Sequence, residues 1–330
     1  MASKPKVVIT DYDFGDVEIE RRILEAVGAE VVSLQAKSEQ DLLNHARDCS
    51  AMISQYAFIG ADTIAAMKQC QIIARYGVGT DIVDVDAATE KNILVTNVRN
   101  YCTEEVADHA TSLWLALARG LFPYNMATHQ GVWRWQSAEP LYRLRGQTMG
   151  IVSFGMIGKA IAERARSFGL DIIVFDPYLE SDVIKAHKAR KVDKTELLKC
   201  SDVVMMQVPM TPDTHHFLGE SEFRAMKKSA FVICTGRGPT IDNKALYKAL
   251  TEGWIAGAGL DDPEEEPAKL KNWSPKDNPL FTLPNVIVTP HVAYYSKQSM
   301  EAARTIAAQE VARVLTRQTP LNPVNNVNTL

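Results

Sequence analysis

TMGIVSFGMIGKAIAERARSFGLDIIVFD, residues 148–176, runs from a short apolar strand through a glycine turn into an amphipathic helix and on to a second apolar strand. A strand, a helix and a second strand within about 30 residues form a βαβ unit, whose strands lie parallel and need helices to cover them. In the G-x-G-x-x-G form of this turn the first glycine makes the bend, the second lets the backbone approach a pyrophosphate, and the third lets helix and strand pack closely. Gly155 and Gly158 hold the second and third places, and Ser153 stands at the first. The second strand ends in Asp176, about 20 residues on, where a carboxylate accepts hydrogen bonds from ribose hydroxyls. Asp176 is followed by Pro-Tyr-Leu, without an arginine for a 2′-phosphate, so the pattern favours NAD(H) over NADP(H).

The same alternation extends in both directions. Toward the N-terminus, KVVIT, AEVVSL, AMIS, QIIARYGVG and ILVTNV alternate with helical stretches; toward the C-terminus, SDVVMMQVP, AFVICTGRG, IAGAGLDD and NVIVTPH do likewise. Strand and helix in strict alternation predict an α/β fold with two doubly wound parallel-sheet domains. Between the two series lies a long helical pattern, TEEVADHATSLWLALARG, with Thr103 as its predicted cap and Gly120 as its terminator, and the domain boundary falls there. A final helix, KQSMEAARTIAAQEVARVLTR, closes the chain, and the pattern alone leaves open which domain it joins. Residues 263–281, PEEEPAKLKNWSPKDNPLF, make an unusually long polar connection, of the kind that is functional or disordered.

At 330 residues the chain exceeds the size at which single cores stop growing, which independently argues for two domains. A hydrophobic share of 46% and a net charge of −4, with Lys and Arg scattered, fit a soluble globular protein and offer no footprint for nucleic acid or an anionic membrane. The apolar run before Asp11 is too short for a signal peptide, and no stretch approaches the roughly 18 apolar residues of a membrane helix. Five scattered cysteines without C-x-x-C predict neither a disulfide framework nor a metal site, and suit a reducing, cytoplasmic compartment.

Three further segments each follow a predicted strand, at the end where open parallel sheets bind ligands. They are Thr235-Gly-Arg237-Gly-Pro, Asp261-Asp-Pro-Glu264-Glu265-Glu266-Pro267 and Thr289-Pro-His291. An arginine fork, a carboxylate and an imidazole are what oxidation of an alcohol beside a carboxylate needs: a bidentate cation for the carboxylate and a group titrating near neutrality for the hydroxyl proton. The residues alone do not choose among Glu264, Glu265 and Glu266. Each of these side chains also has an ordinary structural reading, as a surface ion pair, a solvated acidic run or a satisfied loop histidine.

Taken with ARYGVGTDIVDVDAA (74–88), EEVADHATSLWLALAR (104–119), QVPMTPDTHHFL (207–218), MKKSAFVICTGRGPTID (226–242), AGAGLDDPEEEP (256–267) and VIVTPHVAYYS (286–296), the chain resembles the D-isomer-specific 2-hydroxyacid dehydrogenases. The likeness is nearest to the branch of the C-terminal-binding proteins and their bacterial enzyme relatives. It implies an NAD-dependent enzyme interconverting a small 2-oxo acid and its D-2-hydroxy acid, with Arg237, Glu266 and His291 as catalytic trio. It further implies substrate contacts from Val78, Gly79 and Tyr294. Cofactor contacts carried over are Phe154, Gly155, Met156, Ile157, Gly158, Asp176, Val208, Pro209, Thr214, Cys234, Thr235 and Asp261. The implied organisation is a flavodoxin-like substrate domain of residues 1–100 plus 296–330, a Rossmann NAD-binding domain of 101–295, a cleft that closes on the ligand, and a homodimer. Two other readings accompany it: a phosphoglycerate dehydrogenase, disfavoured because SQYAFI (54–59) lacks the basic residue that holds the phosphate, and an NAD(H)-sensing binding module. Against the family pattern, Ser153, Gly236, Asp262-Pro263 and Tyr294 are departures, the last where the C-terminal-binding branch has tryptophan.

Overall fold

A computed structural model of the chain describes residues 4–265 and 272–327. The chain forms two compact units, residues 1–101 with 296–330, and residues 102–295.

The first unit is built on strands β1 (Lys6–Ile9), β2 (Glu30–Ser33), β3 (Ala51–Ser54), β4 (Ile72–Arg75) and β5 (Leu94–Thr96), all parallel, in the order β2-β1-β3-β4-β5. That order is the flavodoxin-like one. Side chains alternate across it: Val7 and Ile9 enter one apolar cluster, Val8 the other, so strands covered on both faces read as unbroken apolar runs. The helix Lys297–Leu315 returns to this unit and puts Ala307, Ala308, Val311 and Val314 into the first cluster. A charged cluster fixes its place. Glu20, fully buried on the helix Glu18–Ala26, accepts from Arg304 Nε at 2.9 Å and Nη2 at 2.8 Å, and from the Tyr76 hydroxyl at 3.1 Å. Burial alone would lower the Arg304 pKa, but hydrogen bonds to Glu20 and Asp16 outweigh it and raise it. Tyr76 is pushed well above its ordinary value, by burial first and then by the Glu20 charge.

In the second unit, β6 (Thr148–Val152), β7 (Asp171–Phe175), β8 (Arg190–Lys191), β9 (Val203–Met206), β10 (Phe231–Cys234), β11 (Gly257–Leu260) and β12 (Val286–Val288) run parallel in the order β12-β11-β10-β9-β6-β7-β8. The chain starts in the middle, works outward to β8, then returns to β9 on the other side of β6. This is the Rossmann order extended by one strand, with its switch point between β6 and β9. The helix Thr103–Ala118 packs on this sheet so closely that a Cβ on Gly259 would lie 3.0 Å from that of Leu113. Cys102, not the predicted Thr103, occupies its N-cap without a side-chain hydrogen bond, so the helix begins one residue earlier than the sequence suggests, with Thr103 as its first helical residue. Gly120, with φ +60°, ends it and opens a second helix, Leu121–His129. The long connection is not structureless in its described half. Two 3₁₀ turns, Pro275–Asp277 and Pro279–Thr282, are capped by Ser274 and Asn278, and Leu280 is buried. Among the described residues no helix is long and apolar enough to cross a membrane.

Candidate active site

Because every strand of the second unit is parallel, the segments singled out in the sequence all leave the sheet at one edge. The glycine turn leaves β6 at Ser153, whose φ of +72° is left-handed. L-residues with a Cβ avoid that region, which is why glycine suits the place and why serine there is strained. Gly155 is the N-cap of the helix Met156–Ser167 and gives it no side-chain cap, so its first N–H groups remain for an anion. Nothing lies within 4 Å of a Cβ built on Gly155, whereas one on Gly158 would sit 2.6 Å from the Ser153 carbonyl oxygen. The second glycine thus faces open space and the third a wall.

Asp176 is buried at the end of β7. Its Oδ2 accepts from Phe154 N–H at 2.8 Å, and its Oδ1 from Tyr178 N–H at 2.9 Å and Leu179 N–H at 3.2 Å. The carboxylate braces the glycine turn and keeps a lone pair on Oδ2 for a further donor. An uncapped helix start, open space over Gly155 and this carboxylate together fit a dinucleotide.

The loop after β9 carries Val208, Pro209 and Thr214. The Thr214 hydroxyl folds it by donating to the Pro209 carbonyl at 2.7 Å, and Gln207 ties it to the next loop through Thr235 at 2.9 Å. Gln207, the first residue of the motif at 207–218, is not singled out by the sequence, because its role rests on a contact with Thr235. Cys234 is buried, which pushes its thiol up to about 11 and keeps it protonated at neutral pH.

Arg237 follows β10, and its carbonyl accepts from the Thr240 hydroxyl at 2.6 Å. A Cβ on Gly236 would meet two carbonyl oxygens at 3.2 Å, and one on Gly238 would lie 2.4–2.5 Å from the backbone of Asp262, Pro263 and Glu264. The loops after β10 and β11 are therefore in backbone contact. Since β11 lies between β10 and β12, Arg237 and His291 flank the loop that begins at Asp261. Glu264 is committed within this loop, accepting from His216 Nε2 at 2.6 Å and from Asn243 N–H at 3.3 Å. Glu265 is exposed, and Glu266 lies outside the described residues.

His291 also has a left-handed backbone, φ +53°, and its ring meets Tyr294 edge-on at 6.2 Å. Its N–H donates to the Asp261 carbonyl at 2.8 Å. The Asp261 carboxylate is almost wholly buried and accepts from Thr289 Oγ1 at 2.5 Å, Val292 N–H at 3.0 Å and Ala293 N–H at 2.8 Å.

In the first unit, the turn after β4 carries Val78 and Gly79. It is held by Val98 N–H on the Gly77 carbonyl at 2.9 Å and by Asn97 Nδ2 on that of Val78 at 2.7 Å. Val78 is half exposed, and among the described residues the N–H groups of Val78 and Gly79 have no acceptor.

A glycine turn that opens a helix at the switch point, braced by a carboxylate at the end of the next strand, is the arrangement of dinucleotide-binding α/β sheets. Residues 111–293 match the profile of the D-isomer specific 2-hydroxyacid dehydrogenase, NAD binding domain. Over 292 residues the chain is 38% identical to a glyoxylate reductase of Korarchaeum cryptofilum, covering 87% of this chain and 86% of that one. Over 328 residues it is 37% identical to a D-3-phosphoglycerate dehydrogenase of Methanocaldococcus jannaschii, covering 98% of this chain but only 60% of that longer protein. The structure of D-lactate dehydrogenase from Aquifex aeolicus, solved with NAD and lactic acid, superposes with a TM-score of 0.87 at 26% identity, covering 98% of this chain and all of that one. The chain belongs to the D-isomer specific 2-hydroxyacid dehydrogenase family, NAD(P)-dependent oxidoreductases acting on CH–OH donors.

Proposed function

We propose that this protein reduces a small, unphosphorylated 2-oxo acid to its D-2-hydroxy acid with NADH. The observation that carries the reading is the adjacency of β10, β11 and β12, which brings Arg237 and His291 to either side of one acidic loop. The bound dinucleotide supplies the hydride. Arg237 grips the substrate carboxylate and polarises the carbonyl, and protonated His291 delivers a proton to the forming alkoxide. Glu266 pairs with the imidazole, a role supported by the commitment of Glu264 to His216. Tyr294, edge-on to His291, lines the substrate side, and in the first unit the N–H groups of Val78 and Gly79, without an acceptor among the described residues, are candidate carboxylate donors. The cofactor lies along Phe154, Gly155, Met156, Ile157 and Gly158, with Asp176 at its ribose, and passes Val208, Pro209 and Thr214 to reach Cys234, Thr235 and Asp261. Residues 1–100 with 296–330 serve as substrate domain and 101–295 as cofactor domain.

A phosphorylated substrate is the second reading, favoured by the name of the M. jannaschii relative. Against it, the loop after β3 offers no basic side chain. It is instead pinned to a carboxylate: Asp11 accepts from the N–H groups of Gln55, Tyr56 and Ala57 at 3.2, 2.7 and 3.1 Å. The reductase and dehydrogenase names of the relatives likewise favour an enzyme over an NAD(H)-sensing module of the C-terminal-binding branch. Five free cysteines support a cytoplasmic location.

A homodimer through the cofactor unit is supported by apolar side chains exposed around the helix Leu121–His129, which buries none of its residues. Leu121, Phe122, Met126, Trp133, Trp135 and Tyr142 are all exposed, Trp133 by 87%, and a run of such side chains marks a contact surface.

The test is a panel of 2-oxo acids, small, branched and phosphorylated, each with NADH. Turnover best with a small unphosphorylated member supports the reading; preference for the phosphorylated one replaces it with the second, and no turnover of any removes it.

A further inference from the structure

We infer that His109 is a positioning residue for the proton-transfer step, acting through Thr289 and Asp261 on the loop that carries His291; the inference rests on the reading of His291 as general acid.

His109 sits on the helix Thr103–Ala118, far in sequence from the trio, with its ring three-quarters covered. Its Nε2 lies 2.9 Å from Thr289 Oγ1, and Thr289 Oγ1 lies 2.5 Å from Asp261 Oδ1. The direction of this chain follows from proton counting. An ionised carboxylate only accepts, so the single hydroxyl proton of Thr289 goes to Asp261. The hydroxyl oxygen must then accept from His109, which fixes the Nε2–H form of that ring. The donors converge on Asp261, where a second hydrogen bond from His109 is out of reach at 3.6 Å.

Asp261 also holds the next loop. Its carboxylate takes the N–H groups of Val292 and Ala293, and its carbonyl takes that of His291. Together with the Thr289 hydroxyl before it, these bonds clamp the residues on both sides of His291 while that residue holds a left-handed backbone at φ +53°. A non-glycine residue leaves that region when its surroundings permit, so the loop needs the clamp. Thr289 is the clamp's outer member, and His109 keeps its hydroxyl turned inward.

The helix itself is anchored. Asp108 and Glu104 bind Arg164 at 2.6 Å each, and Arg164 belongs to the helix that the glycine turn opens. The helix that carries His109 is thus tied to the last turn of the helix Met156–Ser167 as well as to the His291 loop. Arg237 follows β10, whereas these bonds hold the loop after β12, so substrate binding and proton delivery should respond differently when they are cut.

The experiment compares His109→Leu, His109→Gln and Thr289→Val with the unmodified enzyme on the best substrate of the panel. Glutamine presents an N–H where imidazole has Nε2–H; leucine fills the space without a donor. His109→Leu and Thr289→Val should each lower kcat ten-fold or more while the substrate KM and the NADH Kd shift less than three-fold, and His109→Gln should recover kcat to within about three-fold. Melting curves on all four proteins separate the effect from unfolding, and Thr289→Val cuts the chain even if His109→Leu fails to fold. Unchanged kcat in both donor-less variants, a parallel change in KM, or a glutamine variant no better than leucine overturns the inference. Turnover by the unmodified protein is measured first, so loss of the inference and loss of the functional reading are distinct results.

Discussion

Ser153 shows how a single departure from a motif becomes interpretable once its backbone is known. In the sequence it weakens the glycine pattern; in the structure its φ of +72° explains both why glycine suits the position and what serine costs there. Ser153→Gly should remove that strain, offset in part by the freedom glycine gains in the unfolded chain, and raise stability by about 0.5–1 kcal/mol in urea unfolding. A destabilised variant would mean that the serine hydroxyl contributes more than the strain removes. Asp176 is a candidate ribose ligand by its spacing, but spacing gives no sign of the carboxylate's work within the protein. It holds the Phe154 N–H, so Asp176→Ala should loosen the turn as well as remove the charge that repels a 2′-phosphate. NADH kcat/KM should fall and the preference for NADH over NADPH should shrink; an unaltered preference would take the carboxylate out of cofactor selection.

At the scale of elements, the strands with apolar runs were readable and those without were not. β8, Arg190–Lys191, carries no hydrophobic signal, because an edge strand of two residues is specified by its neighbour β7 rather than by its own composition. The return of the last helix was implied by the family resemblance but hidden from the strand and helix pattern, since Glu20 and Arg304, which anchor it, lie 284 residues apart and meet only in the folded chain. That pair gives a sharp expectation. Arg304→Ala would leave the Glu20 charge buried without its partner and should cost about 3–5 kcal/mol, read as a lower denaturation midpoint. Combining Arg304→Met with Glu20→Gln should restore much of the loss, because the penalty lies in the uncompensated charge. A single variant of near-normal stability would show that the pair does not hold this helix.

On the scale of the whole chain, alternation of strand and helix was enough to predict two parallel-sheet units, since parallel strands need crossovers and crossovers need length. The choice of residues within the second unit's edge was another matter. Arg237 and His291 stood out only as one of many arginines and histidines until the motifs around them were taken together, and His109 was invisible because its role depends on a contact across 180 residues. The exposed aromatic face of the cofactor unit gives the prediction that belongs to this scale. The protein should sediment as a dimer, and Trp133→Glu with Trp135→Glu should shift it to monomer; an unmodified protein that is monomeric at micromolar concentration would remove the proposed homodimer.

The central claim, that Arg237 holds the carboxylate of a 2-oxo acid for NADH reduction beside His291, is tested most directly by Arg237→Lys. Lysine keeps the positive charge but lacks the planar fork, so the exchange separates bidentate recognition from simple attraction. NADH binding and the formation of D-2-hydroxy acid should be measured on one preparation. NADH affinity should stay near normal while kcat/KM falls by roughly two to three decades, the loss of about 2–4 kcal/mol of transition-state stabilisation. Turnover close to that of the unmodified protein, or a product of the L configuration, would contradict it.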